Sequence, residues 1–207
     1  MRKVYIMPNA IELEKFRFSS RKRAELRKKM GLEDKFVIGN VARFSYEKNH
    51  ELLIDIFYEI SKKRSDAVLL LVGRGELLEE MKRKVKDLDL EEKVQFLGVR
   101  DDVPDLLNVM DVFVLPSRFE GFGIVFVEAQ ANGLKCFASD GVVPRGTNVC
   151  GGVTFLSLSQ PPSFWAQKIL SADITRMKDP VPAIRKGHFD IDTEAKNLKR
   201  MYKTLCQ

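Results

Sequence analysis

Asp111-Val-Phe-Val-Leu-Pro-Ser-Arg-Phe-Glu-Gly-Phe-Gly-Ile-Val-Phe-Val-Glu-Ala-Gln-Ala-Asn-Gly133 decides how the rest of the chain is read. Val112 to Leu115 is a short apolar run ended by Pro116, the form of a buried parallel strand. A polar turn with Gly121 and Gly123 follows. An almost wholly apolar helix is expected from about Phe122, stopped by Asn132-Gly133. A strand that passes through a glycine turn into a helix exposes backbone N–H groups where the helix dipole also favours an anion. The turn carries one carboxylate, Glu120, and the helix another, Glu128. Phe122, Ile124, Val125, Phe126, Val127, Ala129 and Ala131 surround Glu128, so the helix is expected to be buried and its carboxylate to need a partner. From these residues alone two readings stand. Glu128 is a structural ion-pair partner and Glu120 a solvated loop residue, or both face a ligand.

The flanking sequence alternates strand and helix. Strands are expected at Phe36–Ala42, Ala67–Val72, Val94–Leu97, Lys135–Ala138 and Val153–Leu156. Leu52, Leu53, Ile56, Phe57 and Ile60 form a helical stripe within Glu47–Lys63. Further helices are expected from about Ser20 to Gly31, after Gly73-Arg74-Gly75 to about Leu88, over Asp102–Val109, and from Pro161-Pro162 around Trp165, Ala166, Ile169 and Leu170. Such alternation with short loops predicts an α/β fold, a Rossmann-like doubly wound parallel sheet with helices on both faces. The whole chain, 1–207, reads as one domain. Residues 1–35 are an entry segment, with a strand at Val4-Tyr5-Ile6 and a turn at Pro8-Asn9, and residues 190–207 are a C-terminal helix.

At 207 residues, 44% hydrophobic and 31% charged, the chain has the composition of a globular protein able to bury a full core. Its three cysteines (Cys136, Cys150 and Cys206) and two histidines (His50 and His188) show no metal-ligand spacing, and a reducing compartment is expected. No apolar run approaches membrane-spanning length and no signal-peptide core follows Met1. The location expected is therefore cytoplasmic, with peripheral attachment to the inner face of the membrane as an option. The net charge is +6. Much of it comes from Lys15, Arg17, Arg21, Lys22, Arg23, Arg27, Lys28 and Lys29. A solvated basic helix is the simpler reading, and attraction to an anionic membrane surface the sharper one. No nucleic-acid recognition motif accompanies these charges.

A second constellation, Ala42-Arg43-Phe44-Ser45-Tyr46-Glu47-Lys48-Asn49-His50, falls where the first long strand gives way to its helix. In open α/β sheets that is the ligand-binding end. With Ser45 as N-cap, Lys48 lies in the first helical turn and Arg43 just before it. Cations there oppose the dipole, at roughly a few tenths of a kcal/mol each, unless an anion joins them. His50 reads as a polar residue at the helix start rather than a base. Trp165 and the phenylalanines read as core.

Pro-Ser-x-x-Glu-Gly-Phe-Gly-x-x-x-x-Glu-Ala-x-x-x-Gly resembles the Glu-x7-Glu signature of the family-4 retaining glycosyltransferases, which have the GT-B fold. The Arg43…Glu47-Lys48-Asn49 segment matches a second motif of that family. Met7-Pro-Asn-Ala-Ile-Glu12 resembles the segment that opens its C-terminal half, with Ala10 in place of the usual glycine. The resemblance runs from about Met7 to Leu205. The Ser139-Asp140…Pro144 loop lacks the family's frequent Gly-Gly-x-Pro-Glu pattern and looks more like the capsular and exopolysaccharide branch.

The resemblance implies that Glu120 faces the donor sugar and that Arg43 and Lys48 clamp its diphosphate. It implies that Glu128 binds the ribose hydroxyls and that the Gly121, Phe122, Gly123 and Ile124 amides lie along phosphates and sugar. Eight residues at helical rise span roughly 12 Å, about the reach from ribose to hexose. Gly98, Val99 and Arg100 fall where the family meets the nucleobase. Ser139 and Asp140 are further candidates at the sugar pocket, and Gly73-x-Gly75 is a structural turn or the edge of the nucleotide pocket. Transfer without a metal or other cofactor is implied. Asp101-Asp102 is the one paired aspartate, and Asp102 reads better as a helix N-cap.

The expected function is therefore the nucleotide-sugar (donor) binding domain of a hexosyltransferase, with a UDP-sugar as partner and a saccharide or lipid-linked acceptor, in surface polysaccharide biosynthesis. The family's N-terminal acceptor domain is not represented, so a truncated form with an artificial Met1 is expected to bind nucleotide weakly and to transfer little. Its uncovered apolar surface would favour self-association. The alternatives are a nucleotide-sugar epimerase of the same fold and a non-catalytic nucleotide- or carbohydrate-binding module.

Overall fold

Every strand of the sheet runs the same way. A computed structural model describes residues 9–205, and the expected strand at Val4-Tyr5-Ile6, Met7 and Pro8 of the opening segment's motif, and Cys206 lie outside them. In chain order the elements are α1 (Leu13–Phe16), α2 (Ser20–Met30), β1 (Phe36–Val41), α3 (His50–Ser61), β2 (Ala67–Val72), α4 (Leu78–Asp87), β3 (Val94–Gly98), α5 (Val103–Val109), β4 (Val112–Leu115), α6 (Ile124–Ala131), β5 (Lys135–Ser139), β6 (Val153–Leu156), α7 (Pro162–Leu170), α8 (Val181–Lys186) and α9 (Ile191–Leu205). The six strands lie in the order β3-β2-β1-β4-β5-β6, all parallel. The order reverses between β1 and β4, which makes that crevice the topological switch point.

Alternate strand residues feed two cores. Ile38, Leu69, Leu71, Val112 and Val114 pack with Leu53, Phe57 and Ile60 of α3, Met81 and Val85 of α4, and Trp165 and Ile169 of α7. Their neighbours Val37, Val68, Leu70, Phe113 and Leu115 pack with Leu106 and Leu107 of α5 and Phe126 and Ala129 of α6. A near-continuous apolar strand thus serves both faces, because successive side chains point opposite ways. The other side of α6, through Val127 and Ala131, joins Ile11, Leu13, Ile184 and Phe189 in a third cluster. The helix is buried at Phe126, Val127, Ala129, Gln130 and Ala131, and half-buried at Ile124, Val125 and Glu128.

Three local expectations are corrected. The helix after β1 begins at His50, not Glu47. Tyr46–Lys48 form a separate 3-10 turn, and Asn49, in a left-handed conformation (φ 56°), joins the two. Ser45 therefore precedes the 3-10 turn without a side-chain capping bond, and Lys48 lies ahead of α3 rather than in its first turn. α6 begins at Ile124, not Phe122, after Gly123 at φ 79°. Only the second half of the Glu120–Glu128 interval is helical, so the reach computed for eight helical residues does not apply. The short helices α1 and α8 were not anticipated. Neither is long enough to show a repeat of apolar positions.

The basic helix α2 is also not simply solvated. Arg23 and Arg27 reach the opposite end of the sheet from the candidate motifs. There both donate to Asp111, at 2.5 and 2.6 Å; Arg23 also donates to the carbonyls of Asn108, Val109 and Met110, and Arg27 to that of Val109. Asp111 also accepts from the Val37 amide at 2.7 Å. The charges hold the α5–β4 corner against β1. Burial pulls the Arg27 pKa down, and the adjacent Asp111 opposes that.

Candidate functional site

The two motifs meet at the switch point. The segment after β1 and the turn after β4 are joined backbone to backbone. The Arg118 and Phe119 amides both donate to the Glu47 carbonyl, at 2.7 and 3.3 Å. Side chains add to the seam. Asn49 Nδ2 donates to the Pro116 carbonyl at 3.0 Å, and Asn40 Nδ2, from within β1, donates to the Val114 carbonyl at 2.8 Å. Arg118 donates to the Tyr46 carbonyl and to Glu51.

Across this seam Lys48 Nζ lies 2.6 Å from Glu120 Oε2. The Glu120 side chain is only 8% exposed, and that of Lys48 25%. Ser117 Oγ donates to the same carboxylate oxygen at 3.3 Å. Gly123 is required here twice over. Its φ is positive, and a Cβ would stand 3.1 Å from Glu120 Cγ and 3.0 Å from a Phe126 ring carbon. Ser139 sits beneath the turn, fully buried, and donates to the Ser117 carbonyl at 2.7 Å.

A cavity of about 520 Å³ opens over this pair, lined by Arg43, Ser45, Glu47, Lys48, Glu76, Phe119, Glu120 and Gly121. It shares Arg43 and Glu76 with a second cavity of about 810 Å³, lined also by Gly73, Arg74, Gly75, Leu78 and Val99. Together they follow the C-terminal ends of β3, β2, β1 and β4, the edge where ligands bind in this architecture.

Four expected residues (Arg43, Lys48, Glu120 and Gly121) thus share one cavity, and Val99 borders the next. Others are placed differently. The Phe122 ring turns away and stacks on Phe189 at 5.3 Å, so only its backbone can serve the turn. Ile124 packs against the third core cluster. Gly98 holds a positive φ and its carbonyl accepts from the Gly73 amide at 2.8 Å, which joins the edges of the two cavities' loops. Arg100 forms a two-toothed pair with Asp102, at 2.7 and 2.6 Å. Asp102 does stand at the N-cap of α5, but its side chain makes no capping bond. Asp140 pairs with Arg145 at 2.6 Å and, like Ser139, lines neither cavity.

Glu128 lines neither cavity. It is half-buried in α6, with no side-chain hydrogen bond or ion pair among the described residues, and burial pushes its pKa up. The structural ion pair considered for it is not formed. Among the described residues no group of three or more His, Cys, Asp or Glu is placed to hold a metal ion.

Glu76 was missed by the sequence reading. Its signal was the acid directly after the Gly73-Arg74-Gly75 turn. Arg43 donates to it through Nε and a terminal nitrogen, at 3.2 and 3.0 Å. His50 is the first residue of α3, as expected. It is also buried and stacked on Phe44, with ring centroids 4.1 Å apart.

Comparison with known proteins agrees with this fold. The glycosyl transferases group 1 family matches residues 22–163. A protein of Bacillus subtilis (strain 168) named as the glycosyltransferase EpsF is 37% identical over 171 residues, covering 82% of this chain and 44% of that protein. The UDP-Gal:alpha-D-GlcNAc-diphosphoundecaprenol alpha-1,3-galactosyltransferase of Escherichia coli is 35% identical over 142 residues, 67% of this chain and 37% of that protein. Among solved structures, Anabaena Alr3699/HepE in complex with UDP-glucose superposes with a TM-score of 0.79 at 25% identity, over 97% of this chain and 57% of that one. The chain spans less than half the length of both curated relatives. The protein belongs to the glycosyl transferases group 1 family, and its parallel sheet with the paired motifs is a half-domain of the GT-B architecture.

Proposed function

We propose that this chain is the nucleotide-sugar-binding domain of a retaining hexosyltransferase, and that its donor is a UDP-sugar. The observation that carries the reading is the Lys48–Glu120 contact at the switch point, with Arg43 lining the same cavity. Cations from one loop and a carboxylate from the next suit a ligand with an anionic middle and a hydroxyl-rich end. Support for the uridine nucleotide comes from HepE, whose structure holds UDP-glucose, and from the E. coli relative, whose name specifies UDP-Gal.

In transfer, the bond between the sugar's anomeric carbon and the diphosphate oxygen breaks, and its electron pair leaves with the nucleoside diphosphate. Arg43, Lys48 and the amides after Glu120 then face the developing charge, in place of a divalent ion. Glu120 faces the sugar and Glu128 takes the ribose hydroxyls. The acceptor hydroxyl oxygen forms the new bond to the anomeric carbon, and its proton passes to the departing diphosphate oxygen. The acceptor, a saccharide or lipid-linked sugar of surface polysaccharide assembly, needs contacts from a second half-domain, because transfer depends on holding both reactants together. This chain alone is expected to bind nucleotide and to turn over little. Work at the cytoplasmic face of the membrane suits such an acceptor.

Calorimetric titration with UDP, GDP and ADP, on wild type and Glu128→Ala, tests the reading. UDP is expected to bind, and the substitution to weaken it at least tenfold. Equal binding of all three by both proteins, or none by wild type, would overturn it.

A further inference from the structure

Arg43 is held by a carboxylate that no resemblance assigns a role. Glu76 follows the Gly73-Arg74-Gly75 turn, and that turn is seated on the Arg43 loop. A Cβ on Gly75 would stand 2.2 Å from the Phe44 carbonyl oxygen. The Phe44 amide donates to the Arg74 carbonyl at 2.9 Å, and the Leu77 amide to the Phe44 carbonyl at 3.0 Å. The Arg43–Glu76 pair is therefore set by two loops locked backbone to backbone, not by a chance meeting of long side chains.

Both partners line both cavities, so the pair stands between them. The smaller cavity is lined by two cations, Arg43 and Lys48, and three carboxylates, Glu47, Glu76 and Glu120. Glu76 occupies Nε and one terminal nitrogen of the Arg43 fork and offsets its charge, so an anionic ligand that approaches Arg43 competes with that carboxylate, since carboxylate and phosphate repel at that distance.

We propose that Glu76 is a specificity-determining residue, a resident anion that an incoming diphosphate displaces from Arg43 and a monophosphate displaces poorly. A diphosphate has two phosphoryl groups, one for Arg43 and one for Lys48. A monophosphate meets one cation and must compete with Glu76 for it. The inference rests on the reading that Arg43 meets the donor's diphosphate. Arg43 and Glu76 are 72% and 54% exposed, so the competition is worth the modest amount of an exposed pair. In binding terms that is about a two- to fivefold change.

The test is calorimetric titration of UDP and UMP, at low salt, on wild type, Glu76→Gln, Arg43→Gln and the double variant, with thermal unfolding to confirm that each is folded. Glu76→Gln is expected to tighten UMP by about fivefold and UDP by about twofold, narrowing the preference for the diphosphate. In the Arg43→Gln background the same change is expected to have less effect. Unchanged or weaker UMP binding by Glu76→Gln, with wild type still binding UDP, would overturn the inference and leave the reading of the site intact. Failure of wild type to bind UDP would overturn that reading and this inference with it.

Discussion

The Lys48 ammonium lies 2.6 Å from the Glu120 carboxylate, although 72 residues separate them in the chain. Loops after β1 and β4 bring them together because those strands are neighbours where the strand order reverses. Removing the cation leaves a nearly buried carboxylate with Ser117 as its remaining hydrogen-bond donor. Lys48→Met is expected to cost about 1–3 kcal/mol of stability. That corresponds to a melting-temperature drop of roughly 2–12 °C for a chain of this size. Glu120→Gln keeps the shape and the Ser117 contact and is expected to cost less. Thermal unfolding of the two variants measures the difference. UDP titration of Lys48→Met should show binding weakened at least tenfold, and unchanged affinity would remove Lys48 from the site.

Glu128 is the reverse case, a half-buried carboxylate without a side-chain partner, whose pKa burial pushes up. A raised carboxyl pKa means that the folded state holds its proton to a higher pH than the unfolded chain. This group therefore subtracts from stability once the pH passes its unfolded value. Glu128→Gln removes the charge and keeps the volume. It is expected to leave the melting temperature unchanged or raised at pH 7.5 while weakening UDP at least tenfold. A variant that lost stability would mean Glu128 has a structural partner. One that kept full UDP affinity would mean it does not meet the ribose.

Strands of four to six residues with no polar interruption, such as Ala67–Val72 and Val112–Leu115, were legible end to end, because burial on both faces leaves only apolar choices. The joints were less so. Gly123 and Asn49 both take left-handed conformations, and this moved each helix start two or three residues past the position its apolar pattern indicated. Arg43, Lys48 and Glu120 were found through motif spacing. Glu76 was not, because its pairing depends on two loops meeting across the β1–β2 edge, and no local pattern records such a meeting. The charges of α2 misled for the same reason. Their partner Asp111 lies far along the chain, and composition cannot distinguish a solvated arginine from one that ties two elements together.

Asp111 separates structure from function. It binds Arg23, Arg27 and the Val37 amide at the end of the sheet away from the cavities. Asp111→Ala leaves two guanidinium groups facing one another and is expected to cost about 3–5 kcal/mol, the usual loss on breaking a buried pair. Chemical denaturation measures it. Below the transition, UDP affinity should stay within about twofold of wild type, since none of the site residues is altered. A matching loss of affinity would show that the two ends of β4 are coupled.

The role proposed for Arg43 and Lys48 leads to a prediction about metal removal. Asp102, half of the one paired aspartate, already accepts from Nε and a terminal nitrogen of Arg100. Titration of UDP with and without EDTA is expected to give the same affinity. Strict dependence on Mg²⁺ or Mn²⁺ would mean that a metal, rather than Arg43 and Lys48, carries the charge.

His50 gives the pH dependence. Its ring lies 3% exposed against Phe44, with neither nitrogen hydrogen-bonded among the described residues, and burial, aided by the charge on Lys48, pushes its pKa down to about 4. The unfolded chain takes up this proton near pH 6.5 and the folded chain only near 4. Between those values the unfolded state binds the extra proton, so stability falls as the pH drops from 6.5 towards 4. From pH 7.5 to pH 5 the loss attributable to this ring is about 2 kcal/mol. His50→Phe keeps the stack on Phe44 and cannot take a proton. Denaturant unfolding of both proteins at pH 7.5 and pH 5 should therefore show the wild type losing about 2 kcal/mol more than the variant. Equal losses would mean that the imidazole titrates alike in both states, through hydrogen bonds that bring its folded pKa back towards the ordinary value.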